Sequence, residues 1–376
     1  MNYSGHRLQK EKHTPKLWRK LSAGLVAHAT TQNSPYTGER PFARARTAKL
    51  ESGSRMRKAT ILFNPNSGRR RRDAELAHAI GVIQSGGVRT ELTVCRSSQE
   101  ATDNAHCAVA AGSDTVFACG GDGTIHDVIQ ALAGTNVALA ILPLGTANSL
   151  AHDLALPLHP SDAARAAVNG QVRRIPLGRL EYQDFSGQST TRYFTVAAGI
   201  GVDAHLFYKL NRDLKKQTGM AAYYLKAWNL WATHRMRRFE VEYANGTGAK
   251  QQATLTELLA VRIRFFGNIL RELVPGASLD CPDLRAVMCR TASRTAYLRY
   301  VTGALLGRRW NIEGIDLVSC SEILCQVSKS AEADRVYVEA DGELLGRLPA
   351  RITMQPDALS LVVPATKNEK PGSATA

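Results

Sequence analysis

No stretch of this chain approaches the roughly 18–20 consecutive apolar residues that a membrane span needs. The best run near the N-terminus, LSAGLVAHAT (21–30), is broken by Ser22, Gly24 and His28 and does not read as a signal peptide. The seven cysteines are odd in number and never spaced as C-x-x-C. That pattern argues against a paired-cysteine zinc site and a disulfide framework, and for a reducing, cytosolic setting. There is no G-x-x-x-x-G-K-S/T phosphate loop, no internal repeat, and no zinc-finger, recognition-helix or RNA-binding motif. A specific nucleic-acid partner is therefore not expected.

Acidic residues are also in short supply. Against 48 Lys and Arg stand 33 Asp and Glu, a net charge of +15, which draws the chain toward anions. Residues 1–55 hold eleven Lys and Arg against Glu11, Glu39 and Glu51, and so supply +8 of that excess. The segment is polar, lacks any sustained period, and reads as a disordered basic appendage, with a polybasic membrane tether as the functional alternative. Met56, just before the first strand, is a candidate translation start.

From Lys58 a regular alternation begins. KATILF (58–63), VRTELTV (88–94), DTVFACG (114–120) and NVALAILP (136–143) read as strands. Between them, residues 73–87, 98–112 and 124–133 read as helices, with Ser98 the expected cap of the second. Strand–helix alternation predicts a parallel, doubly wound sheet, whose ligands bind at the carboxyl ends of the strands. Three loops fall at such ends: NPNSG, GGDGT and PLGTANS.

In GGDGT, Gly120, Gly121 and Gly123 are expected to take positive φ and let a phosphate approach the backbone. Thr124 is expected to open a helix, whose N-terminal amides and dipole favour anions. Asp122 would repel a phosphate, so it is expected to hold a cation, orient a neighbouring donor or cap the turn. Asn64 and Ser67 of the first loop, and Thr146 and Asn148 of the third, are candidate donors to phosphate oxygens. Arg69–Arg72 are either an anion-binding run or a solvated basic turn. His126, Asp127, His152 and Asp153 read mostly as surface or capping groups, with His126 near enough to approach a nucleotide. GIGVDA (199–204) reads as a turn.

After about residue 175 the runs are short, alternating and divided by turns, which predicts an antiparallel sheet domain with one or two helices. Tyr224, Trp228 and Trp231 share a face of a helix over 219–239, either as core or as an acyl-chain wall with a basic rim. LLGRRWN (305–311) is a candidate interfacial loop.

NPNSG, GGDGTIHDVIQAL and LPLGTANSLAHDLALP, in this order, resemble the diacylglycerol kinase catalytic-domain family, which includes sphingosine kinases and bacterial lipid kinases. The likeness continues through VAAGIGVDA, LVPGASLDCPDL and VEADGELLGRLPARITMQPDALSLVVP, from about Arg57 to Pro364. It implies an α/β fold with an N-terminal doubly wound parallel-sheet domain, a C-terminal antiparallel β-sandwich domain and a nucleotide cleft between them. It implies ATP and Mg²⁺, with Gly120–Thr124 and Thr146 at the nucleotide. Glu343, beside Asp341, is then the base acting on a lipid hydroxyl. The implied layout is a basic extension (1–55), a nucleotide-binding domain (56–174), a sandwich lipid-substrate domain (175–355), a returning strand (356–366) and a disordered tail (367–376). A lipid substrate, an anionic membrane surface, a peripheral cytoplasmic location and a possible homodimer follow from the same likeness. The sequence departs from the pattern at Ser149, where members often carry an acid. It departs again at Cys281–Pro282, where bacterial members often carry an Asp-Gly pair near a structural metal, and at Cys95, where members often carry Thr. Two other readings stay open: a non-catalytic basic module gripping acidic lipid or nucleic acid, and an enzyme like the NAD kinases.

Overall fold

A computed structural model describes residues 56–68, 73–201, 236–245, 249–266, 270–308, 310–328 and 336–365. The basic extension 1–55, Arg69–Arg72, the aromatic positions Tyr224, Trp228 and Trp231, and the tail 367–376 lie outside them.

Four parallel strands build the first lobe: β1 (Lys58–Phe63), β2 (Arg89–Val94), β3 (Thr115–Gly120) and β4 (Ala138–Pro143), side by side as β2-β1-β3-β4. Every residue of β3 and β4 is buried, which fits central parallel strands covered on both faces. Helices α1 (Asp73–Ser85), α2 (Ser98–Ala110) and α3 (Asp122–Leu132) link the strands, and α4 (Ser149–Asp153) and α5 (Pro160–Val168) follow β4. Helix α1 buries Leu76, Ala79 and Ile83 and ends before Gly87, whose φ of 81° is left-handed. Ser97, not Ser98, caps α2, accepting from the Glu100 amide at 3.1 Å.

The second lobe is antiparallel. Its strands are β5 (Gln171–Asp184), β6 (Ser189–Phe194), β7 (Ala197–Gly201), β8 (Phe239–Asn245), β9 (Lys250–Leu255) and β10 (Glu257–Val261), then β11 (Phe265–Phe266) and β12 (Leu270–Arg271), which pair as a separate hairpin. They continue with β13 (Leu284–Cys289), helix α6 (Arg294–Leu305), β14 (Ile315–Gln326), β15 (Tyr337–Ala340) and β16 (Glu343–Val363). Residues 199–201, expected as a turn, form the buried end of β7 between β10 and β15.

The two lobes share one sheet. β16 is a single 21-residue strand whose far end, Ser360 and Leu361, pairs in parallel with Ala138 and Leu139 of β4. β5 runs antiparallel beside it, from Val363↔Gln171 to Gly346↔Asp184, so the boundary expected at 174/175 falls inside a strand. Irregularities in the pairing after Arg347 and Gln355 let this ribbon bend from one lobe to the other. Arg262 reinforces the joint: its guanidinium, 1% exposed, donates to the carbonyls of Pro176 and Leu279, each at 2.8 Å. Burial pulls its pKa down to about 10. One apolar core lies around the parallel strands and their helices, and a second fills the sandwich. Among the described residues no helix is long and apolar enough to cross a membrane.

Candidate active site

The three loops meet at the carboxyl edge of β1, β3 and β4. Helix α3 starts at Asp122, two residues earlier than expected, with Gly121 as a cap that has no side chain to offer. The amides of Asp122, Gly123 and Thr124 therefore have no acceptor within the helix. These glycines do not adopt positive φ, contrary to expectation; Gly121 sits at −93°. Their role is steric. A Cβ on Gly120 would stand 2.5 Å from Thr124 Oγ1, and one on Gly145 would stand 2.6 Å from the Gly121 Cα. The second and third loops thus touch backbone to backbone. Gly68, at a φ of 80°, presses in the same way on the Leu144 carbonyl.

Side chains fasten this cradle. Asn64 Nδ2 donates to Thr124 Oγ1 (3.1 Å), and Ser67 Oγ accepts from the Gly121 amide (3.2 Å). Asn148, left-handed at φ 48°, accepts from the Gly145 amide through Oδ1 (3.0 Å) and returns Nδ2 to its carbonyl (3.1 Å). Asn64, Ser67 and Asn148, expected to reach for phosphate, hold the loops in place. Asp122 does orient a neighbouring donor: its Oδ1 accepts from the Ser149 amide at 2.7 Å, tying the second loop to the third. Thr146 is exposed at the rim, and Gly123 lies in the first turn of α3.

The acidic hairpin comes from the other lobe. Asp341 and Gly342 have φ of 52° and 80°, the pair of left-handed residues that a two-residue hairpin turn between β15 and β16 requires. The Asp341 carboxylate is not solvated. It accepts from the amides of Thr195 (2.9 Å), Val196 (2.8 Å) and Ala197 (2.9 Å), and its own amide donates to the Ala197 carbonyl. Its Oδ2 also lies 2.8 Å from His126 Nε2, with both side chains 3% exposed.

His126 and Asp127, read from sequence as surface or capping groups, are buried on the face of α3 that meets the second lobe. Gln130, one turn on, completes that face by exchanging two hydrogen bonds with the Tyr193 backbone (2.9 and 3.0 Å). Arg192 is the residue that sequence reasoning missed. Its Nη2 donates to Glu343 Oε2 at 2.8 Å and to Asp127 Oδ1 at 3.2 Å, while Ser98 Oγ donates to the same Asp127 oxygen at 2.6 Å. Glu343 is thereby held, 21% exposed, through one guanidinium to a residue about 4.5 Å of helix rise beyond Thr124. The clue in the sequence was three polar residues, at i, i+1 and i+4, inside an otherwise apolar helix. Asp153, at the end of α4, accepts from the amides of Arg264 (2.7 Å) and Phe265 (3.3 Å).

Burial raises the Asp127 carboxyl, with the Glu343 charge adding to it, against the Ser98 and Arg192 hydrogen bonds. Burial would push His126 down, yet the Asp341 carboxylate overrides it and holds the imidazole above its ordinary 6.5. Burial would likewise raise Asp341, but His126 and the amides of Thr195 and Ala197 hold it below its ordinary 3.8. The imidazole's contribution to stability is full below 6.5 and fades as pH rises through its folded value. The carboxyl's is full above 3.8 and is lost as pH falls through its folded value. His126→Asn should therefore lower the Tm most between about pH 4 and 6.5, and progressively less in more alkaline buffer. Melting curves of both proteins across that range check this; a deficit that does not change with pH rules out an ionic pair.

Comparison with known proteins adds to this geometry. The profile described as the diacylglycerol kinase catalytic domain matches residues 58–180, and that of the YegS C-terminal NAD kinase beta sandwich-like domain matches residues 195–363. A diacylglycerol kinase of Bacillus subtilis is 28% identical over 318 residues, covering 84% of this chain and 99% of the relative. One from Mycobacterium tuberculosis is 29% identical over 315 residues, covering 82% and 95%. The crystal structure of a diacylglycerol kinase from Bacillus anthracis shares the fold with a TM-score of 0.61 at 17% identity, over 83% of this chain and 98% of that one.

Proposed function

Because the chain belongs to the diacylglycerol kinase catalytic-domain family, we propose that it is an ATP-dependent lipid kinase. It transfers the γ-phosphoryl group to a hydroxyl of diacylglycerol, a sphingoid base or a related lipid. The observation that carries this reading is the Glu343–Arg192–Asp127 chain, which suspends a carboxylate from one lobe over the helix that begins at the other lobe's glycine cradle.

The triphosphate rests on the amides of Asp122, Gly123 and Thr124, which the helix leaves without acceptors. Glu343 takes the proton of the lipid hydroxyl as its oxygen attacks the γ-phosphorus, and the bond to the bridging oxygen of ADP breaks. Asp341 is too deeply buried to touch a substrate. It is a positioning residue, which pins the hairpin that carries Glu343. Arg192 fixes the rotamer of Glu343, and Asp127 anchors Arg192.

No cluster of three metal-ligating side chains occurs among the described residues; Asp122 is the acidic residue of the cradle that would face Mg²⁺ arriving with the nucleotide, and the ion would neutralise charge on the phosphates. The structural metal that the family likeness suggests near Cys281–Pro282 does not fit this chain. Neither residue brings an oxygen side chain, and the adjacent Asp280 pairs with Arg173 at 3.2 Å. A peripheral cytoplasmic location at an anionic membrane belongs to the same proposal.

ATP-dependent phosphorylation across a panel of diacylglycerols, sphingoid bases and monoacylglycerols tests the reading. Label incorporated into at least one lipid is expected; none, with nucleotide bound, points to a non-catalytic module. Arg192→Ala should lower kcat by about 10²-fold by freeing the carboxylate. Guanidinium added to that variant should restore part of the rate, whereas a purely structural loss would not respond.

A further inference from the structure

Helix α6 has two apolar faces, and among the described residues only the inner one is packed. On the inner face the Tyr297 hydroxyl pairs with Thr256 Oγ1 (2.8 Å), Tyr300 donates to the Leu273 carbonyl (2.5 Å), and Gly303 is buried. On the outer face Leu298, Val301 and Leu305 fall within about 60° of one another at 3.6 residues per turn. They are 45%, 41% and 49% exposed, and Leu306 (60%) and Trp310 (38%) continue the apolar surface. Gly303 keeps Trp310 there: a Cβ at that position would stand 3.2 Å from the indole ring and 2.8 Å from the Arg308 carbonyl. The chain after α6 thus folds back against the helix.

Charge selects the occupant. From Leu284 to Ile312 the sequence contains six arginines and no Asp or Glu. Arg294, Arg299 and Arg308 are exposed around the apolar stripe. An apolar stripe flanked by exposed arginines matches a surface that is negative outside and hydrocarbon within. We propose that α6 and its following turn dock on an anionic lipid bilayer. The surface leads to the cleft: α6 packs beside β12, β12 pairs with β11, and the Phe265 amide of β11 donates to Asp153. Asp153 ends the helix whose first amide Asp122 holds. The inference rests on the lipid-kinase reading for what the bilayer delivers, a substrate, but not for the binding itself.

The test is co-sedimentation of the full chain with vesicles of phosphatidylglycerol and phosphatidylcholine in equal parts, and with phosphatidylcholine alone. The wild type should bind the mixed vesicles. Leu298→Gln, Val301→Gln and Leu305→Gln together should weaken that binding more than about tenfold, with Tm and phosphorylation of a water-dispersed short-chain diacylglycerol unchanged. Arg299→Gln with Arg308→Gln should weaken binding and flatten its salt dependence, and this pair decides the matter if the triple variant fails to fold. A triple variant that sediments like the wild type, or a wild type that ignores anionic vesicles and self-associates through α6, overturns the proposal. A wild type that binds through α6 yet phosphorylates no lipid sinks the kinase reading and leaves the docking surface standing.

Discussion

Glu343→Gln should reduce phosphoryl transfer by about 10²–10⁴-fold while nucleotide affinity stays within a factor of about two. The amide is nearly the size of the carboxylate and its oxygen still accepts from Arg192, so the hairpin keeps its shape. What it loses is the capacity to take a proton. In the proposed reading nucleotide affinity resides in the cradle of the first lobe, whereas Glu343 belongs to the β15–β16 hairpin of the second. Rate measurements beside a nucleotide titration separate the two effects. Turnover at the wild-type level would remove Glu343 from the role of base.

Gly145→Ala should be among the most damaging single methyls in the first lobe. The new carbon would meet the Gly121 Cα at 2.6 Å and Asn148 Oδ1 at 2.7 Å, and the first of these is backbone that cannot swing aside. Relief requires the second and third loops to part, which loosens the Gly145–Asn148 and Asp122–Ser149 bonds together. A stability loss of about 1–3 kcal/mol is expected, with nucleotide affinity down by a factor of about 10². Gly81→Ala is the control. It lies inside α1 with nothing within 4 Å of the added carbon, so it should stabilise by up to about 1 kcal/mol. Thermal melts with and without ATP report both. Unchanged nucleotide affinity in Gly145→Ala would show that the close contact of the loops does not shape the phosphate site.

The parallel lobe was legible because its signals are local. Buried strands end in glycine-bearing loops, helices carry an apolar face, and Gly87 marks a stop. The function of those glycines was less so: close approach of one loop to another is a tertiary fact that backbone propensity does not contain. Asp341–Gly342 has the composition of a tight turn, but its burial depends on three amides from residues 195–197, far away in sequence. Arg192 sits in STTRYF on the same strand face as the buried Phe194, but nothing local marks it as a partner of α3, whose Asp127 it meets only in the fold. The continuity of β16 was hidden because it pairs with four different strands and is irregular on the way, so its parts read as separate runs. Ser97 and Ser98 are adjacent potential caps, and Asp127 settles which one is free to leave the helix end.

A crystal structure with a non-hydrolysable ATP analogue bears most directly on the central claim. The account predicts phosphate oxygens on the amides of residues 122–124, with the γ-phosphate turned toward the Glu343 carboxylate. A nucleotide seated elsewhere, or a γ-phosphate directed away from the β15–β16 hairpin, would contradict it.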